Sequence, residues 1–143
     1  MFKRLFTPIA IGSMVVRNRI VMPPMHMGYG AMDGTVTEKY RDYYEARAKG
    51  GTGLIITEAC AVHPERKYGL LPLCLYDDAL IPSWKELADA VHRHGAKLAA
   101  QLMDPGPESM KILTGMDPLG PSPVAGKGIF RSMPRELSSS EIE

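Results

Sequence analysis

No apolar run in this chain approaches the roughly 18 to 20 residues that a membrane-crossing helix needs. Residues 1–8, Met1-Phe2-Lys3-Arg4-Leu5-Phe6-Thr7-Pro8, lack the apolar core of a secretory signal, so a cytoplasmic protein is expected. Excess charge is lacking too. Seventeen basic residues stand against sixteen acidic ones, a net charge of +1. That gives no footing for nucleic acid or for an anionic membrane. Cysteine is scarce. Cys60 and Cys74 are the only two, at neither a metal spacing nor a disulfide framework. Both are expected to be reduced, and no metal site is expected. Cys60, near a strand end, is the more interesting of the pair.

What is present is an apolar, glycine- and proline-punctuated chain of 143 residues, 45% hydrophobic and 23% charged, long enough for one domain with a real core. It is organised around Arg19-Ile20-Val21-Met22-Pro23-Pro24-Met25-His26-Met27-Gly28. An apolar strand runs into two prolines, so it must end near Met22. The soft cluster beyond, with one imidazole, is either a packing turn or the start of a site, since loops past strand ends carry sites in α/β folds.

Ahead of this stretch, Gly12-Ser13 separates two short apolar runs and predicts a hairpin with a type II′ turn. Behind it, Thr37 predicts an N-cap for a helix from Glu38 to about Lys49, ended by Gly50-Gly51. Tyr40, Tyr44 and Ala48 share one face of that helix, most simply a packing face. Residues 53–59 form a second strand, apolar on both faces as a covered parallel strand should be, with Glu58 at its end. Glu58 reads either as a functional acid or as an ion-pair partner of a basic side chain. The stretch 61–80 looks irregular. Trp84, Leu87, Ala88 and Val91 then give the clearest helical period, starting near Ile81-Pro82 and ending at Gly95. His92 and His94 are two apart on it and make a poor metal pair. Residues 97–103 form a third strand carrying one polar residue, Gln101. Its amide matches the edge of a heterocycle or is a satisfied interior amide. The alternation of strands and helices predicts a parallel α/β protein.

Residues 104–136 show no convincing helix or strand and hold six prolines, the mark of a long functional or disordered loop. Ser138 with Glu141 three residues on is a capping box, so a helix is expected to begin there. The chain stops within its first turn, which suggests a longer polypeptide.

Taken in order, residues 18–25, Tyr44-Glu45-Ala46-Arg47-Ala48-Lys49-Gly50-Gly51, residues 53–58, Gln101-Leu102-Met103, Pro121-Ser122-Pro123-Val124, Pro134-Arg135-Glu136-Leu137 and Glu141-Ile142 resemble the N-terminal part of the Old Yellow Enzyme family. The branch they resemble is that of the NADH:flavin oxidoreductases, with 2,4-dienoyl-CoA reductase and the enoate reductases. The resemblance implies the N-terminal portion of a (β/α)8 TIM barrel, incomplete as a barrel. A hairpin cap (1–18), a βαβαβ unit (19–103), a long loop (104–137) and the start of a helix (138–143) would follow in turn.

The resemblance also implies a flavoprotein oxidoreductase in which FMN, reduced by NADH or NADPH, reduces an activated C=C bond of an enoate or enoyl substrate. Pro23, Pro24, Met25 and His26 would line the isoalloxazine, with His26 tuning its potential. Ala59 would meet the flavin carbonyl edge and Gln101 its pyrimidine part. Gly28 and Tyr29 would approach the substrate. An iron–sulfur cluster, the phosphate site and the proton donor would lie in parts not encoded here. The partner would then be the remainder of the barrel, in the same polypeptide or a second subunit, and this segment by itself would be inactive. Two departures stand out. Relatives read Gln-Leu-x-His-x-Gly-Arg, whereas here Asp104 and Pro107 replace the His and the Arg, which is expected to remove positive charge. The other reading is a non-catalytic half-barrel that associates through open sheet edges.

Overall fold

The computed structural model describes residues 2–127 and 132–142. Met1, residues 128–131 of the expected loop and Glu143 of the expected helix lie outside the described residues.

Two prolines decide the sheet. Strand β3 (Val21–Met22) pairs in parallel with the start of β4 (Leu54–Ala61), and Pro23 and Pro24 then lead the chain off it. The edge of β4 that β3 leaves is taken up by β5 (Leu73–Cys74), opposite Cys60 and Ala61. On the other edge β6 (Lys97–Met103) follows β4 from Leu54 to Ala61, with one irregularity between Ile56 and Ala59. Every pairing in this sheet is parallel.

The three expected strands are therefore present. The segment 61–80 is not wholly irregular, because β5 lies within it. Strand β4 also runs past residue 59, which puts Glu58 and Cys60 inside the strand rather than at its end.

The hairpin is β1 (Ile9–Ile11) with β2 (Met14–Val16), Ile11 opposite Met14. Of the two turn residues only Gly12 has positive φ, at 58°, the type II′ pattern. Helix α1 (Glu38–Lys49) is capped by Thr37, whose Oγ1 accepts from the Tyr40 N–H at 3.3 Å. Tyr40, Tyr44 and Ala48 are fully buried, so the tyrosine stripe is a packing face, as read. A 3₁₀ turn at Asp78–Leu80, capped by Asp77, leads into α2 (Ile81–His92). Leu87 and Val91 face inward with Ile55 and Leu73. Each such large side chain contributes roughly 1.5–3 kcal/mol by leaving water. Trp84 is only partly buried; its indole N–H donates to Cys74 O at 2.9 Å and ties α2 to β5.

One residue passed over in the sequence joins the hairpin to both helices. Arg17 Nη2 donates to Ala48 O at 2.8 Å and to Thr52 O at 2.9 Å, and its Nη1 donates to His94 O. A single guanidinium thus serves the C-terminal ends of α1 and α2, where a cation suits the helix dipole. His94 bonds Glu45 at 3.0 Å, a helix-end role rather than a metal site.

The stretch 104–137 holds more order than expected. A 3₁₀ turn (Gly106–Glu108), the short helix α3 (Lys111–Thr114), and strands β7 (Leu119–Gly120) and β8 (Arg135–Glu136) lie within it. Pro118 is fully buried, and Ser109 Oγ donates to Glu65 O at 3.3 Å. Proline density marks a chain without long elements, but not one without tertiary contacts.

The expected final helix begins as α4 (Ser139–Ile142). Ser138 N–H and its hydroxyl both donate to Glu141 Oε2 at 2.9 Å, and Arg135 forks the same carboxylate at 2.9 and 2.7 Å. Arg135 first, then Ser138, pull the Glu141 carboxyl down to about 2. Its folded value lies below its free value of 4.5. The stabilisation is therefore complete above the ordinary carboxylate range and is lost as pH falls toward about 2. Arg135→Ala is expected to return the Glu141 titration, followed by carboxyl NMR, toward the ordinary range. No change in that midpoint would rule the fork out as its cause.

Candidate functional site at the strand ends

Glu58 is a carboxylate in a strand otherwise made of apolar and small side chains, and it is fully buried. A buried charge must be satisfied. Glu58 Oε2 accepts from Met27 N–H at 2.6 Å and from Gly28 N–H at 3.4 Å, while Oε1 accepts from Leu73 N–H at 3.0 Å. The Glu58 N–H donates to the Tyr44 hydroxyl at 2.8 Å. Of the two roles read for it, the structure favours a structural one, with a difference. Its main partners are backbone donors, and the nearest basic group is His26, whose Nδ1 lies 3.4 Å from Oε2. One carboxylate therefore pins the loop after β3 to β4 and β5. Burial, with the Glu58 charge beside it, pushes the Tyr40 hydroxyl well above its usual value.

That pinning shapes the loop. Gly30 N–H donates to Leu71 O at 2.9 Å. A Cβ at Gly69 would stand 2.5 Å from His26 Nε2, so the imidazole lies against a bare Cα. Gly69 has φ of +75° and Leu71 has φ of +47°, the one positive value at a non-glycine among the described residues. Backbone strain of this kind gathers at functional loops.

The residues singled out from sequence fall as follows. Pro23, Met25 and His26 are exposed and Pro24 is half-buried, all just past the end of β3. Ala59 and Gln101 stand opposite each other across β4 and β6, Ala59 half-buried and Gln101 exposed. These side chains thus gather toward the carboxyl ends of three parallel strands. Gly28 lies against Leu70 O, where an added Cβ would come within 2.8 Å. The Tyr29 ring turns toward α1, packing on Tyr40 at 5.6 Å and on Tyr43 at 6.0 Å, with Lys39 Nζ 3.8 Å from its centre.

Asp104, where positive charge was expected to be lost, is paired with a basic side chain. Arg66, from the loop after β4, donates to Asp104 Oδ2 at 2.6 Å. Burial works to raise the Asp104 carboxyl, but Arg66 and the Gly106 N–H outweigh it and hold the group below its usual range. A guanidinium is thus present at this end, supplied from a different loop and already paired. Local sequence could not show this pairing, since its partners are 38 residues apart.

Cys60 is fully buried, and burial pushes its thiol up to about 11. It is no nucleophile at neutral pH. Alkylation of the native chain at neutral pH is expected to leave Cys60 unmodified until unfolding; fast native labelling would contradict its burial. No cluster of three metal-ligating residues occurs among the described residues, and no described helix is long and apolar enough to cross a membrane.

Residues 4–143 match the NADH:flavin oxidoreductase / NADH oxidase family. The chain belongs to that family. It is 44% identical over 144 residues to the NADH oxidase of Thermoanaerobacter brockii, covering 99% of this chain and 22% of that protein. It is 41% identical over 139 residues to a metal reductase of Desulforamulus reducens, covering 96% of this chain and 20% of that protein. Among solved structures it superposes on the old yellow enzyme homologue from Zymomonas mobilis with a TM-score of 0.89 at 30% identity, over 96% of this chain and 41% of that one. Morphinone reductase in complex with tetrahydroNAD gives 0.87 at 28% identity, over 96% of this chain and 42% of that one. The chain thus spans about a fifth of these two curated relatives, and its fold is the N-terminal portion of an Old Yellow Enzyme TIM barrel. The strand ends described above are the ends at which such barrels carry their sites. Family membership implies FMN and a nicotinamide cofactor.

Proposed function

We propose that this chain supplies the flavin-ring side of an FMN-dependent reductase that reduces an activated C=C bond, of the α,β-unsaturated carbonyl or enoyl-CoA type, with NADH or NADPH. The supporting observation is the gathering of Pro23, Pro24, Met25, His26, Ala59 and Gln101 at one end of the parallel sheet. Their chemistry fits an isoalloxazine edge. Gln101 has an exposed amide with both donor and acceptor capacity, and Met25, 55% exposed, offers a soft apolar surface. Bound there, FMN supplies hydride transfer between the nicotinamide and the β-carbon of the substrate. This chain's part is to hold the ring by Gln101 and the Ala59 backbone, to place the His26 imidazole beside it, and to exclude water with the loop that Glu58 pins. The phosphate site and the proton donor belong to the remaining strands, so activity requires the rest of the barrel.

A second reading, a half-barrel that works by association, draws on the outer edge of β6. Leu102 there is 65% exposed, and β4 is the only described strand with which β6 pairs. Mass spectrometry of the purified protein under gentle conditions separates the two readings. A mass that includes FMN and further polypeptide supports the reductase. A bare homo-oligomer that stays flavin-free when FMN and the remaining barrel are both supplied overturns it and leaves association.

A further inference from the structure

Glu58 has one ligand that its anchoring role does not require. Two well-placed backbone donors, on Met27 and Leu73, already occupy both of its oxygens, yet the imidazole of His26 also sits with Nδ1 3.4 Å from Oε2. The contact is not an accident of a loose side chain. The ring rests on Gly69, whose missing Cβ would lie 2.5 Å from Nε2, 2.8 Å from Cε1 and 3.2 Å from Cδ2. Gly28 leaves room beside Nε2, where a Cβ would stand 3.6 Å away. The imidazole therefore has a bare-backbone cradle under its far edge and a buried carboxylate at its near nitrogen. Its side chain remains 36% exposed at the strand ends.

We infer that Glu58 is a positioning residue that fixes the tautomer of His26, and that Gly69 is the bed that keeps the ring in line with it. This rests on the proposed flavin-facing role of the site. Which imidazole nitrogen carries the proton is set by the hydrogen bond the other end makes, and a carboxylate accepts from Nδ1–H. With the proton on Nδ1, neutral His26 keeps its lone pair on Nε2, the ring atom nearest the missing Cβ of Gly69. Nε2 is then an acceptor for an N–H or O–H that reaches it, and a donor only after taking up a second proton. Without Glu58, neutral His26 would be free to present either face. The carboxylate thus settles what the imidazole says to a ligand, without itself touching one. At 3.4 Å the contact is an ion-pair distance, and the carboxylate favours the proton on the nitrogen nearest to it.

The test is long-range ¹H–¹⁵N NMR of the 143-residue chain, at a pH above the ordinary imidazole range. Exposed His92 on α2 serves as the internal reference. His26 is expected to favour the Nδ1–H form roughly tenfold more than His92 does, as a buried carboxylate close to Nδ1 supports. Glu58→Gln is expected to bring His26 back to the His92 ratio, while the His63 and His92 signals stay put. Gly69→Ala leaves Glu58 intact and pushes the ring off its bed, so it provides the second arm if Glu58→Gln does not fold. It too is expected to return His26 to the reference ratio. The same ratio at His26 and His92 in the wild-type chain would overturn the inference, as would an unchanged ratio in a folded variant. FMN titration of the same samples reports separately. A wild-type chain with the expected tautomer and no flavin uptake, even with the remaining barrel supplied, would sink the flavin reading and leave the Glu58–His26 pair standing.

Discussion

Replacing Arg17 by Met is expected to lower the stability of this chain by about 3 kcal/mol, read as a drop in the urea-unfolding midpoint. The guanidinium donates to Ala48 O, Thr52 O and His94 O, which lie beyond or at the ends of two different helices. Hydrogen bonds from a charged donor contribute roughly 1.5–3 kcal/mol each, and carbonyls left without a partner add a desolvation cost. Water can reach part of this site, which keeps the total below the sum of three such bonds. Methionine keeps the apolar stem, so the loss isolates the donors. Arg17→Lys keeps a charge but not the planar fork, and is expected to fall between Met and the wild type. Arg19→Met is the control, because the one side-chain hydrogen bond of Arg19 among the described residues is to the exposed Thr7 hydroxyl, at 3.4 Å; it should stay within about 0.5 kcal/mol. Equal effects at 17 and 19 would show that the two helix ends do not depend on the hairpin.

Arg17 also shows where a sequence stops being informative. The hairpin turn was legible because positive φ is needed at one position and Gly12 supplies it. Helix α1 was legible because Thr37 caps it and its tyrosines recur on one face. The three main strands were legible as apolar runs bounded by glycine and proline. Each of these is a local signal. Strand β5 has only two residues, and it exists because β3 departs at Pro23 and leaves the last residues of β4 open. Nothing near Leu73 announces that. The Arg66–Asp104 and Arg17–His94 pairs are likewise products of the fold, joining residues 38 and 77 positions apart. The candidate site was half legible. The residues past β3 read as a packing turn or the start of a site, Gln101 on β6 as a heterocycle edge or an interior amide, and only the family resemblance chose between them. Glu58 was read as a functional acid or as an ion-pair partner of a basic side chain; His26 does lie 3.4 Å from it, but its hydrogen bonds come from elsewhere. In a closely packed loop the nearest positive ends of dipoles are backbone N–H groups, and those were what it found.

The loop on Glu58 is held from two sides, and its second hold yields the other large effect. Gly30→Ala is expected to cost about 3 kcal/mol, although Gly30 has an ordinary φ and any residue could adopt its backbone. The cost is one of space. A Cβ there would stand 2.7 Å from Leu71 O and 2.8 Å from Pro72 O, both backbone atoms that cannot rotate away. Relief requires the loop after β3 to part from residues 69–72. That parting breaks the Gly30 N–H to Leu71 O bond and strains the grip of Glu58 on Met27 and Leu73. Gly51→Ala makes the opposite comparison. Gly51 has φ of +108° and nothing within 4 Å of its missing Cβ, so its cost is conformational alone, about 1 kcal/mol. Urea unfolding of the two variants separates the mechanisms, and NMR of His26 adds a local reading. Gly30→Ala should disturb the His26 signals even where the chain stays folded, because it moves the loop that carries them, whereas Gly51→Ala should not. A Gly30→Ala chain as stable as Gly51→Ala, with His26 unmoved, would mean that the two loops are not in backbone contact. The strand-end site would then have to be held by Glu58 without help from the second loop.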